Sequence, residues 1–187
     1  MKLILINGKK RSGKDYFAGE LKKQLELQDY SVEIMSFAEP IKSIIAITLG
    51  ISTGELELYK NNPEQYEIDT FDNEILIHKT NYREVLQQFS TEAMKPFFGK
   101  DVWVKMLLAR AQDKQVDYIL VPDFRFLVEN IGDCTVRVNN FDLISTDLHE
   151  SEIQLDKFKF DYQINNTGKP NLTLDINNFI KYLAKLN

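Results

Sequence analysis

Gly8 and Gly13, with four residues between them, are followed at once by Lys14 and Asp15, and the apolar run Lys2-Leu3-Ile4-Leu5-Ile6-Asn7 leads into them. This is the spacing of a phosphate-binding loop. Glycine lets the backbone curl around an anion with no Cβ in the way, so that successive N–H groups converge on phosphate oxygens. A helix after the loop adds the positive end of its dipole, and Lys14 adds a full charge for β- and γ-phosphates. Asp15 stands where a serine or threonine ordinarily lends magnesium a hydroxyl, so its carboxylate is a candidate metal ligand. Gly8, Lys10, Arg11, Ser12, Gly13, Lys14 and Asp15 are therefore the candidate residues for a nucleoside triphosphate. A glycine turn with surface lysines would share the string but not its strand–turn–helix setting.

Arginine grips phosphate bidentately where lysine offers a point charge. The chain has five arginines among 23 basic residues, which makes Arg11, Arg83, Arg110, Arg125 and Arg137 candidates for a site. Arg83, Gln87, Ser90 and Thr91 share one helical face rich in amides and hydroxyls, where a solvated face would carry lysine and glutamate. That face suits a nucleotide groove, with Arg83 on phosphate and Gln87 or Gln88 on a base edge; an exposed helix face is the plain alternative. Tyr118 to Phe126 reads as a short buried strand ending in Asp123-Phe124-Arg125. In a parallel sheet the residues just past the carboxyl ends of strands meet the ligand, so Asp123 and Arg125 are expected in the crevice of the loop. In the competing reading Asp123 caps a short helix at 125–130 and Arg125 pairs with Glu129, four residues on.

The elements that must position these groups follow from periodicity and punctuation. After the first strand and loop, Asp15 to Leu25 reads as a helix with Phe17, Ala18, Leu21 and Leu25 on one face. Ser31 to Phe37 is expected to be a second strand, and Pro40 opens a helix that runs toward Leu49-Gly50. The polar stretch 52–80, with Asn61-Asn62-Pro63 and a hairpin signal at Phe71 to Glu74, reads as an inserted lobe. Tyr82 to Met94 is helical with Val85, Leu86, Phe89 and Ala93 as its apolar stripe. Asp101 is expected to cap a largely buried helix, Val102 to Ala111. A strand over Thr135–Val138, a polar segment 139–159, a last strand Phe160–Asn166 and a helix from Leu174 to Leu186 complete the chain. Strands alternate with helices throughout, which predicts one α/β domain: a parallel sheet with helices on both faces, carrying the inserted lobe and a lid segment.

Composition narrows the function classes. At 187 residues the chain is long enough for one α/β domain and too short for two large ones. A net charge of −5 gives no general basic footprint for nucleic acid. No stretch reads as a membrane span or a signal peptide, and a single cysteine, Cys134, fits a reducing cytosol. The expected location is therefore cytoplasmic. Two histidines, His78 and His149, and one cysteine make no zinc constellation.

Taken in order, several stretches resemble the deoxynucleoside monophosphate kinases of tailed bacteriophages, within the wider P-loop nucleoside monophosphate kinase fold. Lys10-Arg11-Ser12-Gly13-Lys14-Asp15 is similar to that family's phosphate loop, aspartate included, and Phe37-Ala38-Glu39-Pro40-Ile41-Lys42 to its F-A-x-P-x-K segment. Leu86 to Glu92 with Asp101-Val102-Trp103-Val104 resembles its L-Q-x-x-G-T-[DE]…W-V stretch, with Ser90 in place of glycine. Val121 to Arg125 is similar to V-P-D-x-R, and His149-Glu150-Ser151-Glu152 and Asp161 to Asn166 resemble its last two landmarks.

The resemblance implies transfer of the ATP γ-phosphoryl group to a deoxynucleoside 5′-monophosphate, with Mg2+ as cofactor and the host cytoplasm as the location of a phage-encoded chain. Lys14, Arg11 and Arg125 would be catalytic. Lys42, Arg83, Gln87, Gln88, Asp123 and Arg125 would take the acceptor, and a homodimer stays open. Segment 139–159 has none of the arginines that a kinase lid supplies, so Arg11, Arg137, Lys157 or Lys159 would have to serve. Two alternatives remain: a P-loop kinase of another acceptor, such as dephospho-coenzyme A or a small phosphorylated metabolite, and a nucleotide-binding regulatory module that is not a kinase. No N-K-x-D guanine motif supports a GTPase, and no glutamate follows Asp123 as a motor-type ATPase would require.

Overall fold

A computed structural model describes residues 1–72, 75–140, 150–166 and 171–186. The chain divides into two compact units, one formed by 1–37 with 107–187 and the other by 38–106.

In the first unit the apolar run at the N-terminus becomes strand β1 (Lys2–Asn7), paired in parallel with β5 (Tyr118–Val121) on one side and β6 (Cys134–Asn139) on the other. β2 (Val32–Ile34) flanks β5 and β7 (Tyr162–Asn165) flanks β6, giving a five-stranded sheet in the order β2-β5-β1-β6-β7. Parallel strands need coverage on both faces, and the side chains show it. Ile4 and Ile6 join one buried cluster with Phe17, Leu21 and Leu25 of α1 (Lys14–Glu26) and Ile176, Phe179 and Leu183 of α8 (Asn171–Leu183). Leu3, Leu5, Ile119 and Val121, of opposite phase along their strands, are buried as well. The expected stripe of α1 is the buried one, and each of its large apolar residues contributes about 1.5–3 kcal/mol by leaving water.

β2 is shorter than the expected Ser31–Phe37. Ser36 and Phe37 leave the ladder because Asp123 and Arg110 take their polar groups instead: Ser36 Oγ and Phe37 N–H donate to Asp123 at 2.6 and 3.0 Å, and Arg110 donates to the Ser36 carbonyl at 2.7 Å. The expected short helix at 125–130 is a single 3-10 turn, Leu127–Glu129.

The second unit holds α2 (Glu39–Leu49), α3 (Thr53–Asn61) and an antiparallel hairpin of β3 (Glu67–Asp72) and β4 (Ile75–Asn81). Helix α3 lies in the polar stretch read as an inserted lobe, and its start is fixed by a capping box. The Glu55 N–H donates to Ser52 Oγ at 3.1 Å and the Ser52 N–H returns to the Glu55 carboxylate at 2.8 Å. The expected hairpin forms, and its turn at 73–74 lies outside the described residues. α4 (Tyr82–Gln88) runs on into a π-helical segment, Phe89–Met94, and then α5 (Lys95–Phe98). The uniform α-helix expected over 82–94 gives way where Ser90 and Thr91 hydroxyls both donate to the Gln87 carbonyl, at 3.0 and 2.7 Å. α6 (Val102–Gln112) follows; α7 (Glu150–Ile153) lies in the first unit. Most of the expected lid segment, with His149, falls at 141–149, outside the described residues. No helix among the described residues is long and apolar enough to cross a membrane.

Candidate functional site

β1 delivers the chain to the loop, and Asn7 at its end is polar yet buried. Its amide donates to the Phe124 carbonyl at 2.6 Å, and its oxygen accepts from Arg137. The loop then tightens: Ser12 N–H bonds the Lys9 carbonyl at 3.0 Å, Arg11 has a φ of 64° and Gly13 a φ of 87°. A Cβ on Gly8 would lie 2.3 Å from Ser12 Oγ and 2.8 Å from the Val138 carbonyl; one on Gly13 would lie 2.2 Å from Asn166 Nδ2. Both glycines are thus required by close approach, and Gly13 by its left-handed backbone too. Asn166, at the end of β7, braces the loop by donating to the Ser12 carbonyl at 2.9 Å.

Gly13 is the residue at the start of α1 and caps it with no side chain. The first-turn N–H groups of a thirteen-residue helix are left for an anion. The Ser12 hydroxyl is buried with no hydrogen-bond partner among the described residues. Lys14 is buried at 8% exposure, and burial pushes its ammonium pKa down; Asp15, 3.7 Å away, opposes this, while Arg125 adds to it. A buried cation, an orphaned hydroxyl and uncapped amides form a site that a polyphosphate would complete.

Asp123 and Arg125 sit past the end of β5, which directly neighbours β1, and both act electrostatically on Lys14. Asp123 accepts from Ser36 and Phe37 through its two oxygens and so anchors the 36–37 turn, while the 3-10 turn that follows begins after Phe126. Glu129, buried, does take the neighbourhood of Arg125, but through the backbone N–H groups of Arg125 and Phe126, at 2.7 and 3.0 Å. The Arg125 guanidinium goes to Glu152.

Glu152 is the residue that sequence reasoning missed as a contact. Its side chain, 6% exposed, accepts from Arg125 and from the loop N–H of Lys10 at 3.1 Å. The Glu152 carbonyl accepts from Lys9 Nζ. Asp156, one turn on, pairs with Lys9 at 2.6 Å and Arg137 at 3.2 Å. Burial works against the Asp156 carboxylate, but hydrogen bonds from Lys9 and Arg137 hold its pKa below the ordinary value. Arg11 is exposed and makes no hydrogen bond or ion pair among the described residues. Lys157 and Lys159 are exposed.

The other candidate residues belong to the second unit. Lys42 of α2 pairs with Glu57 of α3, which also holds Lys60 at 2.5 Å. Burial lowers the Lys60 pKa, Glu57 opposes this, and Lys42 and Arg83 contribute to the lowering. Arg83 is half-buried, with no hydrogen bond or ion pair among the described residues. The same unit holds Tyr59, Tyr66 and Tyr82, with the Tyr59 ring centre 4.3 and 5.1 Å from the other two. The two glutamines part company: Gln88 is exposed and donates to Glu84 at 3.2 Å, whereas Gln87 is half-buried with its amide uncommitted among the described residues.

Of the loop's own residues, Asp15 offers magnesium a carboxylate, and its side chain is 79% exposed. Among the described residues no cluster of three or more histidine, cysteine or acidic groups could cage a metal. Such a donor set fits Mg2+ held largely by phosphate oxygens and water, with Asp15 beside it.

No protein-family model matches the chain, and no curated protein matches it. Among solved structures the chain is similar to cobyrinic acid a,c-diamide synthase from Mycobacterium smegmatis with bound ADP and magnesium. The TM-score is 0.46 at 10% identity, covering 97% of this chain and 81% of that one. The same enzyme with an ATP analogue and magnesium gives 0.46 at 12% identity over 97% and 82%. A protein assigned to plasmid partition in Borrelia burgdorferi B31, bound to AMPPNP, gives 0.47 at 18% identity over 98% of each chain. None of the three is described as a kinase. The fold is an α/β fold built on a five-stranded parallel sheet, and the comparisons assign no family.

Proposed function

We propose that the chain is an ATP-dependent phosphotransferase whose acceptor is a deoxynucleoside 5′-monophosphate. The observation that carries this reading is a second set of cations apart from the phosphate loop. Within the second unit Lys42 and Lys60 share one carboxylate, Glu57, and the charge of Arg83 acts on Lys60; the same unit holds three clustered tyrosines and the half-buried Gln87. A protein that only hydrolyses ATP needs water as its second reactant; two lysines sharing one carboxylate, with an arginine acting on one of them, in a unit that also clusters aromatic rings, suit a second phosphorylated, ring-bearing substrate.

On this reading the loop amides, the Ser12 hydroxyl, Arg11 and Lys14 bind the donor triphosphate. Arg125 neutralises the transferring phosphoryl group, and Lys42, Arg83 and Gln87 take the acceptor. Phosphoryl transfer asks the protein chiefly to align the two reactants and to neutralise charge as it moves. Mg2+, when bound, would neutralise charge on the donor phosphates, and Asp15 is the residue that would hold it. A homodimer is compatible with this reading.

The alternative is a nucleotide-binding module with no acceptor, favoured by the tie between Arg125 and Glu152, which leaves the arginine engaged without substrate. A coupled assay of ADP formation separates the two. Turnover that appears only on adding one of the deoxynucleoside monophosphates supports the kinase. Turnover indifferent to them, or none with any, overturns it in favour of the module; turnover only with dephospho-coenzyme A moves the acceptor to another class.

A further inference from the structure

The contacts of Glu152 have a meaning beyond holding one arginine. A phosphate at the loop requires backbone N–H donors from 8–14 and a cation to close over it. In this structure a carboxylate already has both: Glu152 Oε2 accepts the Lys10 N–H at 3.1 Å, and Oε1 accepts the Arg125 guanidinium. Its side chain is 6% exposed, and its charge acts on Lys14. A carboxylate and a phosphate compete for the same donors, because an N–H aimed at one anion cannot also serve a second. The segment that carries Glu152 is pinned by further bonds to the same loop and its flank. Lys9 Nζ donates to the Glu152 carbonyl and pairs with Asp156 at 2.6 Å; Arg137 reaches Asp156 at 3.2 Å; Leu127 N–H donates to Gln154 at 2.8 Å.

We propose that Glu152 is a built-in anionic occupant of the phosphate loop. A polyphosphate entering the site displaces its carboxylate, and the displacement releases Arg125 toward the incoming phosphates. Residues 152–156 are then a strap that keeps the empty loop satisfied and its cations neutralised. The strap opens only for a ligand with enough negative charge to replace it. The class of ligand is any polyphosphate, so the inference rests on the loop as a polyphosphate site and not on the identity of the acceptor.

Because a binding-competent fraction f weakens apparent affinity by the factor 1/f, a strap open in about one molecule in ten weakens it about tenfold. Glu152→Gln keeps the shape and removes the charge. The test measures binding of inorganic tripolyphosphate and of ATP, by calorimetry on the full chain, for the wild type, Glu152→Gln and Glu150→Gln. Glu150 bonds Gln154 at 2.7 Å and serves as the off-loop control. The expected result is tightening of both probes by about five- to tenfold in Glu152→Gln alone. Unchanged or weaker binding overturns the strap and leaves Glu152 as a positioning residue for Arg125. Binding of neither probe by any variant overturns the polyphosphate loop itself, and the strap with it.

A second measurement needs no variant that might fail to fold. Hydrogen exchange of the wild type with saturating tripolyphosphate should slow over residues 8–15 and quicken over 152–158. Slowing over both segments would refute displacement while upholding the loop.

Discussion

Gly13→Ala, alone and combined with Asn166→Ala, tests how the loop is held. At a φ of 87° an alanine costs about 1–2 kcal/mol in backbone strain. Its Cβ would also stand 2.2 Å from Asn166 Nδ2, the tip of a flexible side chain, which can swing away only by giving up its 2.9 Å bond to the Ser12 carbonyl. That bond adds about 1 kcal/mol. Gly13→Ala should therefore lower stability by about 2–3 kcal/mol, and Asn166→Ala by about 1 kcal/mol. The double variant should lose no more than Gly13→Ala by itself, because the same bond cannot be lost twice. The coupling between the sites is then about 1 kcal/mol. Urea unfolding of the four proteins at a common m-value gives all the terms, and tripolyphosphate binding shows whether the distorted loop still closes on an anion. Additive losses, or a loss under 0.5 kcal/mol for Gly13→Ala, would refute the reasoning, the first by separating Asn166 from the glycine and the second by freeing the turn from strain.

Lys14 should make nucleotide binding pH-dependent on the alkaline side. Its pKa is lowered by burial in the free protein and raised by a bound phosphate. Binding therefore takes up a proton between the two values, and affinity falls as pH rises through the lower one, by up to about tenfold per unit; calorimetry in buffers of different ionisation heat reads the uptake, which Lys14→Ala should abolish. Asp123→Asn should lower stability in urea by about 1–3 kcal/mol, because the carboxylate fastens Ser36 and Phe37; a purely substrate-facing aspartate would leave unfolding unchanged. Glu57→Gln should cost at most about 1 kcal/mol, since all three partners are partly exposed. Although burial disfavours its charge, hydrogen bonds from Lys42 and Lys60 depress the Glu57 pKa, so its contribution is present above the ordinary value of 4.5 and disappears as pH falls through the lowered one. Thermal melts of wild type and variant should then converge below pH 4.5.

Much of this was legible in the residues because it is local. The strand, the loop and the amphipathic α1 occupy 25 consecutive residues whose apolar period and glycine spacing speak for themselves. The short buried run before Asp123 gave away a strand, which is β5. What escaped was the polar bracing between distant positions. Asn7 meets Phe124, Asn166 meets the loop, and Glu152 meets Lys10 across 142 residues of chain. Such contacts involve single side chains with no period, and their partners are settled only when the sheet order brings strand ends together. The π-helical stretch escaped for a related reason: two hydroxyls bonding to one carbonyl change the winding without changing the pattern of apolar residues. Three of the arginines singled out as candidates for a site, Arg110, Arg125 and Arg137, serve as ties at strand ends, partners that no spacing in the sequence announces.

Cys134 lies in β6 opposite Ile4 of β1, 1% exposed, and burial first, with Asp161 and Asp133 adding to it, pushes its thiol pKa up to about 12. With one sulfhydryl in the whole chain, a thiol reagent at neutral pH reacts only in those moments when the core around β6, the neighbour of the strand that feeds the phosphate loop, comes open. The residue is in effect a clock wired to the central sheet. A single-colour labelling reaction, slowed in proportion to loop occupancy, would report ligand affinity without any engineered probe.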